Sequence, residues 1–152
     1  MVALFFIRAY GQGRPRRPML PLLYIPATAL TTSLIVELLK KLFARYRPPE
    51  LIDFGRYGFL FWKDGFWQNS FPSGHAAVAF AFFGALALSR PRWRVWSFAV
   101  AGLVAVSRIL LNLHFLSDVI AGALLGLGFA LLYRRLFLRF GLTINPSEAT
   151  ND

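Results

Sequence analysis

Residues 69–80 read NSFPSGHAAVAF, so a short polar segment that ends at His75 runs directly into an apolar one. Proline is common in the first turn of a helix, where free backbone N–H groups attract an anion. The apolar residues continue to position 88, close to the roughly 17–25 residues with which a helix crosses a bilayer. The stretch therefore predicts a membrane helix whose first turn is polar and suited to a negatively charged group.

The composition of the whole chain also favours a membrane protein. Of its 152 residues, 57% are hydrophobic, which exceeds the usual share in soluble globular domains. The net charge of +10 would suit a nucleic-acid binder, but most arginines flank apolar segments instead of forming one shared surface, so nucleic acid is not an expected partner. The sequence contains no cysteine, which excludes disulfide and thiol chemistry.

Four apolar segments are long enough to be interpreted as transmembrane helices, because only helices satisfy their own backbone groups in lipid. They span about residues 19–43, 72–88, 95–113 and 116–133. The predicted fold is therefore all-α: an integral membrane bundle of four transmembrane helices, with an interfacial aromatic loop between the first and the second. Three glycines in the fourth segment indicate close helix packing: Gly122, Gly126 and Gly128.

The sequence divides into three parts. Residues 1–18 form a basic N-terminal segment, whose apolar start is interpreted as the end of a membrane helix that this sequence does not contain. Residues 19–140 are the predicted membrane domain, and residues 141–152 are a polar C-terminal tail. Whether the N-terminus is native or truncated is left open.

Arginines are concentrated before the first predicted span, between the second and the third, and after the fourth. If the spans alternate in direction, these clusters share one side, which the positive-inside rule makes cytoplasmic. The opposite, non-cytoplasmic side still carries seven cations, more than orientation requires, so some are expected to bind an anionic ligand: Lys40, Lys41, Arg45, Arg47, Arg56, Lys63 and Arg108. Lys41 and Arg45 fit no motif and are interpreted as interfacial anchors.

Polar residues collect at the non-cytoplasmic ends of the predicted helices. Lys40 and Arg47 are seven residues apart, about two helical turns, so they can share a face near the helix end that Pro48 predicts. His114 and Asp118 are four residues apart, within hydrogen-bond reach if that segment is helical. We therefore expect these groups to form one site.

Three motifs at this face resemble the signature of the type 2 phosphatidic acid phosphatase superfamily of membrane lipid phosphatases. Every fixed position of that signature is matched, in order and with its spacing: Lys40, Arg47 and Pro48; Pro72, Ser73, Gly74 and His75; Ser107, Arg108, His114 and Asp118. The resemblance covers about residues 19–133. It implies a six-helix membrane fold in which the first motif ends the third helix, so the first two helices are expected to be missing here.

The side chains of this set suit a phosphate group. Lys40, Arg47 and Arg108 supply three cations, and the planar fork of an arginine matches phosphate oxygens. The N–H groups around Ser73 and Gly74, with the Ser73 hydroxyl, would complete a phosphate cradle. No cluster of carboxylates and histidines suited to a metal occurs at this face, so neither a metal nor another cofactor is expected.

The resemblance implies roles for three further residues. His114 would be the nucleophile that forms a phosphohistidine, Asp118 would fix its tautomer, and His75 would protonate the leaving oxygen and then activate water. The predicted function is a membrane lipid phosphatase that removes phosphate from a lipid phosphomonoester or diphosphate. Candidate substrates are polyprenyl diphosphate, phosphatidic acid, phosphatidylglycerol phosphate and a glycolipid phosphate.

Two alternatives to the phosphatase remain open. A lipid phosphotransferase would use the same intermediate with an alcohol in place of water, and a truncated, non-catalytic membrane protein would only bind phosphorylated lipids. The lipid bilayer is the expected environment, and the substrate and the oligomeric state are left open. Aromatic residues before position 72 are interpreted as a flap over the substrate or as a general interfacial belt: Phe54, Tyr57, Phe59, Phe61, Trp62, Phe66, Trp67 and Phe71.

Overall fold

The computed structural model describes residues 20–140 together with Leu142 and Ile144. Within these residues there is no strand beyond an isolated antiparallel bridge between Arg45 and Phe59, which confirms the all-α class. The helices are α1 (Leu20–Phe43), α2 (Pro48–Phe54), α3 (Gly74–Ser89), α4 (Arg94–Leu110) and α5 (Leu116–Arg139), with single 3₁₀ turns at Phe66–Gln68 and Pro91–Trp93. The predicted N-terminal segment 1–18 and most of the predicted tail 141–152 lie outside the described residues.

A helix occupies each of the four predicted spans, but the helices differ in length. Three described segments are long and apolar enough to cross a membrane: Leu23–Phe43, Pro91–Leu110 and Leu116–Arg139. Helix α3 is apolar but has 16 residues, which at about 1.5 Å per residue is shorter than a hydrocarbon core of about 30 Å. The described chain is therefore that of a multi-pass membrane protein, while the span at α3 stays a prediction.

Helix α3 lies at the centre of the bundle and packs against α1, α4 and α5. The contact with α5 is close because α5 presents glycine to the backbone of α3. A Cβ added at Gly126 would overlap the carbonyl oxygen of Ala77, and one added at Gly122 would overlap the carbonyl oxygen of Ser73. Gly128 has open space where its side chain would lie, so the predicted packing role holds for two of the three glycines and is wrong for Gly128.

Two apolar clusters lie at opposite ends of the bundle. One contains Ala76, Ala105 and Val119 and lies at the first turns of α3 and α5. The other joins α1 to the far ends of α3 and α5, and the hydroxyl of Tyr24 donates a hydrogen bond of 2.7 Å to the Ala130 carbonyl there. Two residues of the predicted tail are buried in this second cluster, so the chain stays attached to the bundle beyond α5: Leu142 and Ile144.

The segment between α1 and α3 folds back along the end of α1. Helix α1 ends at Phe43 because Ala44 takes a left-handed conformation, with φ at 43°. The last carbonyls of a helix have no partner inside it, and here they accept hydrogen bonds from the returning segment. The N–H groups of Leu60, Phe61 and Trp62 donate to the carbonyls of Ala44, Phe43 and Leu42, respectively. These bonds fix the loop at the same end of the bundle as the start of α3.

Candidate active site

The predicted site residues come from four separate elements that meet at one end of the bundle. Lys40 lies in the last turn of α1 and Arg108 in the last turn of α4. Ser73 is the N-cap of α3, and Asp118 lies in the first turn of α5. His114 precedes α5 in the turn that follows α4. Because neighbouring long helices run in opposite directions, residues far apart in sequence reach the same end.

His114 is buried and is held by a backbone carbonyl. Its Nδ1 lies 2.7 Å from the carbonyl oxygen of Ser70. A carbonyl oxygen can only accept, so Nδ1 carries the proton and Nε2 keeps a free lone pair. The nearest carboxylate oxygen of Asp118 is 3.9 Å from Nδ1, which is too long for a hydrogen bond. The expected direct bond between His114 and Asp118 is therefore wrong.

The carboxylate of Asp118 is occupied by other partners, which explains its distance from His114. Its Oδ2 accepts hydrogen bonds from the Ser70 hydroxyl at 2.6 Å and from the Phe115 backbone N–H at 2.9 Å. Its Oδ1 forms an ion pair with Nη1 of Arg45. The carboxylate is fully buried, and each of these donors compensates part of its lost hydration.

Arg45 is part of the site and not an interfacial anchor, so the sequence-based interpretation of this residue was wrong. Its side chain is 6% exposed. Nη1 contacts Asp118 and also donates to the Ser117 hydroxyl at 2.7 Å, and Nη2 donates to the Tyr57 hydroxyl at 2.7 Å. The guanidinium carbon lies 4.5 Å from the centre of the Phe115 ring. Lys41 has a side chain 61% exposed, as expected for an anchor.

Arg47 reaches the site by a different route from the one predicted. It does not share a helical face with Lys40, because α1 ends at Phe43 and Arg47 is the N-cap of α2. Its Nε donates to the Phe66 carbonyl at 2.7 Å, and its guanidinium lies 4.2 Å from the centre of the Phe66 ring. Burial lowers the pKa of Arg47, and the carboxylate of Asp118 opposes that change. The group stays charged at neutral pH because arginine starts from a very high pKa.

Lys40, His75 and Arg108 lie close to the first turn of α3. The Nζ of Lys40 lies 3.3 Å from the position that a Cβ on Gly74 would take, so glycine leaves room for the ammonium group. Lys40 also forms an ion pair of 2.8 Å with Glu37. The exposed imidazole of His75 is near enough to interact electrostatically with Lys40, Arg47, Arg108 and His114. The second imidazole and the three predicted phosphate-binding cations thus all lie within electrostatic range of His75.

The first turn of α3 offers fewer N–H groups than expected. The N–H of Ser73 donates to the Asp118 carbonyl at 2.9 Å and is not free for a ligand. The N–H groups of Gly74, His75 and Ala76 precede the first intrahelical bond, which Ala77 makes to Ser73. The Ser73 hydroxyl is buried and has no hydrogen-bond partner among the described residues. An unpaired buried hydroxyl is costly, and an anion at this helix end would satisfy it.

Other features of the site concern its surroundings. No group of three or more side chains among His, Cys, Asp and Glu could hold a metal ion within the described part of the chain. The Ser107 hydroxyl donates to the Val104 carbonyl at 2.8 Å and accepts from Nε of Arg108 at 3.1 Å, so it supports that arginine. Large aromatic side chains of the loop are exposed beside the site: Phe54, Tyr57, Phe59, Phe61, Trp62, Phe66 and Trp67.

Comparison with known proteins shows the family of the chain. The profile of the PAP2 superfamily matches residues 21–141. The chain is 39% identical over 119 residues to a lipid A 1-phosphatase of Rhizobium johnstonii, covering 78% of this chain and 49% of the relative. It is 38% identical over 119 residues to a lipid A 1-phosphatase of Rhizobium etli, covering 78% of this chain and 51% of the relative.

A lipid A 4'-phosphatase of Porphyromonas gingivalis is 33% identical over 126 residues, covering 74% of this chain and 50% of the relative. The chain therefore spans about half the length of these curated relatives. No solved structure matches the chain significantly. The family match extends over most of the sequence and includes every element that contributes to the site, so the chain belongs to the PAP2 superfamily.

Proposed function

We propose that this protein is an integral membrane lipid phosphatase that works through a phosphohistidine on His114 and needs no metal. The observation that carries the proposal is the hydrogen bond of 2.7 Å between Nδ1 of His114 and a backbone carbonyl. This bond leaves Nε2 as a nucleophile with a free lone pair, close to a second imidazole and to several cations.

In the first step, Nε2 of His114 attacks phosphorus and the bond from phosphorus to the lipid oxygen breaks. His75 gives its proton to that oxygen, and the lipid leaves as an alcohol or, where the bond broken is to the bridging oxygen of a diphosphate, as the lipid monophosphate. Lys40, Arg47 and Arg108 oppose the charge that spreads over the three equatorial oxygens. The carboxylate of Asp118, 3.9 Å from Nδ1, stabilises the positive charge that His114 gains.

In the second step, water attacks the phosphohistidine and the bond between phosphorus and nitrogen breaks. His75, now neutral, accepts a proton from the water, and inorganic phosphate leaves while His114 returns to its starting state. The same cations and the N–H groups at the start of α3 stabilise both transition states. Donors of this kind are each typically worth about 10²–10³ in rate.

The proposed substrate is a phosphate carried by a glycolipid. The names of the relatives support this class among the candidates, since three of them act on lipid A. The exposed aromatic loop beside the site supports a substrate whose tails stay in the bilayer, because aromatic rings favour the membrane interface. We place this loop in the headgroup layer at the non-cytoplasmic face, with α3 as a fourth membrane-crossing helix.

Phosphate release from a short-chain glycolipid phosphate in detergent tests this function. The purified protein is expected to release phosphate at an unchanged rate in EDTA and to be inhibited by orthovanadate. His114→Ala is expected to abolish turnover, whereas Lys41→Met, which changes an exposed cation outside the site, should keep the parent rate.

Other results would contradict the proposal in different ways. Loss of activity in EDTA would contradict the metal-free mechanism, and parent-like turnover by His114→Ala would contradict the nucleophile. Transfer of phosphate to an added alcohol in preference to water would favour the phosphotransferase. Binding of the lipid phosphate without any turnover would favour a non-catalytic binding protein.

A further inference from the structure

We infer that Arg45 and Ser70 are positioning residues that hold His114 in its reactive tautomer: Arg45 acts through Asp118, and Ser70 links Asp118 to His114. The inference rests on the proposed function and adds to it two residues outside the three motifs. Neither is assigned to phosphate: the structure links both to the carboxylate that lies beside the nucleophile.

The burial of Arg45 requires an internal role. A guanidinium that is 6% exposed has lost most of its hydration and is stable only when paired and hydrogen-bonded. Both terminal nitrogens already have partners, because Nη1 contacts Asp118 and the Ser117 hydroxyl while Nη2 contacts the Tyr57 hydroxyl. Both terminal nitrogens of Arg45 are thus committed to protein groups, and its Nε is buried without a partner among the described residues, which separates Arg45 from a cation that serves the substrate.

Asp118 joins the segments that surround His114. Its carboxylate accepts from the Ser70 hydroxyl on one side and from the Phe115 N–H on the other. Its backbone carbonyl accepts from the Ser73 N–H at 2.9 Å. The ion pair with Arg45 holds this carboxylate from the opposite oxygen. Asp118 therefore holds the segment before α3 against the start of α5, and Arg45 anchors its carboxylate.

Ser70 completes the path to the nucleophile. Its hydroxyl binds the carboxylate at 2.6 Å, and its carbonyl oxygen accepts from Nδ1 of His114 at 2.7 Å. Its N–H donates to the Arg45 carbonyl at 3.0 Å, so the same two residues are also joined through the backbone. Arg45 fixes Asp118, Asp118 fixes Ser70, and the Ser70 carbonyl selects the tautomer of His114. If the carbonyl moves, either nitrogen can carry the proton and Nε2 is no longer reliably free.

The kinetic test compares Arg45→Met and Ser70→Ala with the parent protein and with Lys41→Met. Both site variants are expected to lower kcat by roughly 10–100-fold, while KM changes little. This is the range typical of residues that orient a functional side chain through hydrogen bonds. Lys41→Met changes an exposed cation four residues from Arg45 and is expected to match the parent. Parent-like kcat in both site variants would overturn the inference.

A second measurement reports the tautomer without catalysis. The sequence contains two histidines, so protein labelled with ¹⁵N-histidine gives ring-nitrogen signals from only two imidazoles, and His75→Gln identifies those of His114. The parent is expected to show a single Nδ1–H tautomer at His114, and both site variants are expected to show a mixture. A fall in kcat with an unchanged His114 signal would overturn the positioning role, because the variants would then act in another way.

The shared path through Asp118 is tested by the double variant Arg45→Met/Ser70→Ala. It is expected to lose no more activity than the worse single variant, because both changes release the same carboxylate. If the fold-losses of kcat in the two single variants multiply in the double variant, the shared path is overturned. If Arg45→Met does not give folded protein, Ser70→Ala decides, since it removes one hydroxyl and keeps the carbonyl. An inactive parent would contradict the proposed function alone, because the ¹⁵N signals would still test the tautomer.

Discussion

His114 donates its hydrogen bond to a backbone carbonyl, and its electrostatic support comes from a carboxylate that does not form a hydrogen bond with it. Fixing the tautomer and stabilising the positive charge are thus done by different groups. This has a physical basis, because a carboxylate that accepted a hydrogen bond directly from Nδ1 would also compete for the Nδ1 proton. A carbonyl oxygen cannot be protonated at neutral pH, so it fixes the tautomer without that competition. Asp118 can then remain an anion with Arg45, Ser70 and the Phe115 N–H as its partners.

His75 is expected to matter most when the leaving group is poor. His75→Ala should lower kcat/KM on an alkyl phosphate by about 10²–10⁴, because the departing alkoxide then lacks a proton donor. On a nitrophenyl phosphate, whose leaving group is stable as an anion, the first step should be nearly unaffected. The second step still lacks its base, so a burst of about one nitrophenol per enzyme should precede slow turnover. Rapid-mixing absorbance measurements would detect this burst.

The control for the burst is His114→Ala, which should give neither burst nor turnover because no phosphohistidine can form. Equal losses by His75→Ala on the alkyl and aryl substrates would contradict the role of His75 as general acid.

The motif spacing identified the eight predicted site residues, but it could not identify Arg45 or Ser70. Helical periodicity extended past Phe43 would direct Arg45 away from Arg47, whereas the left-handed turn at Ala44 brings both arginines to the site. An alanine in that conformation leaves no signal in the sequence, since glycine or asparagine usually marks it. Ser70 lies two residues before the second motif, and a small polar residue beside the motif was the one available hint in the sequence.

Helix α3 can lie at the centre of the bundle because α5 has glycine, which lacks a side chain, where the two helices meet. Gly126→Ala is expected to destabilise the protein by about 1–3 kcal/mol or more, the usual cost of overpacking, because the new Cβ would overlap backbone atoms of Ala77 and Ala81. Backbone in a packed helix cannot move aside as the end of a flexible side chain can. Thermal unfolding in detergent, followed by size-exclusion chromatography, measures the effect.

Gly128→Ala is the matched control, since it lies two residues away on the same helix and its Cβ would meet open space. Alanine is a better helix former than glycine, so this variant should be as stable as the parent or slightly more stable. Equal destabilisation by the two substitutions would refute the close contact between α3 and α5.

The ends of the helices explain where the sequence-based boundaries differ from the structure. The third predicted span was extended to residue 113, but α4 ends at Leu110 because Asn112 takes a left-handed conformation, with φ at 54°. The fourth was ended at residue 133 because arginines follow, but α5 continues to Arg139. Charged residues end the apolar stretch that crosses the membrane and do not end the helix, since long arginine side chains can reach water from the interface.

The arrangement of the helices separates two kinds of positive charge. The three cations proposed to bind phosphate lie at the end of α1, the start of α2 and the end of α4: Lys40, Arg47 and Arg108. A second group of arginines outside the motifs lies at the opposite end, between α3 and α4 and in the last turns of α5: Arg90, Arg92, Arg94, Arg134, Arg135 and Arg139. The total charge of the chain does not distinguish these two groups of cations. The order of the spans does, because alternating helices place successive loops at opposite ends of the bundle. This part of the fold was predictable because span order alone determines it.

The proposed orientation in the membrane rests on the second group of arginines and can be tested with single cysteines, since the sequence contains none. Asp53→Cys places an exposed thiol in α2 on the side of the site, and Trp93→Cys places one between α3 and α4 on the other side. Neither change removes a lysine or arginine, so the charge bias that orients the helices is kept. With a membrane-impermeant maleimide, Asp53→Cys should react in intact spheroplasts, and Trp93→Cys should react only after permeabilisation. The reverse pattern would put the site in the cytoplasm, and the phosphate would then have to come from lipids of the inner leaflet.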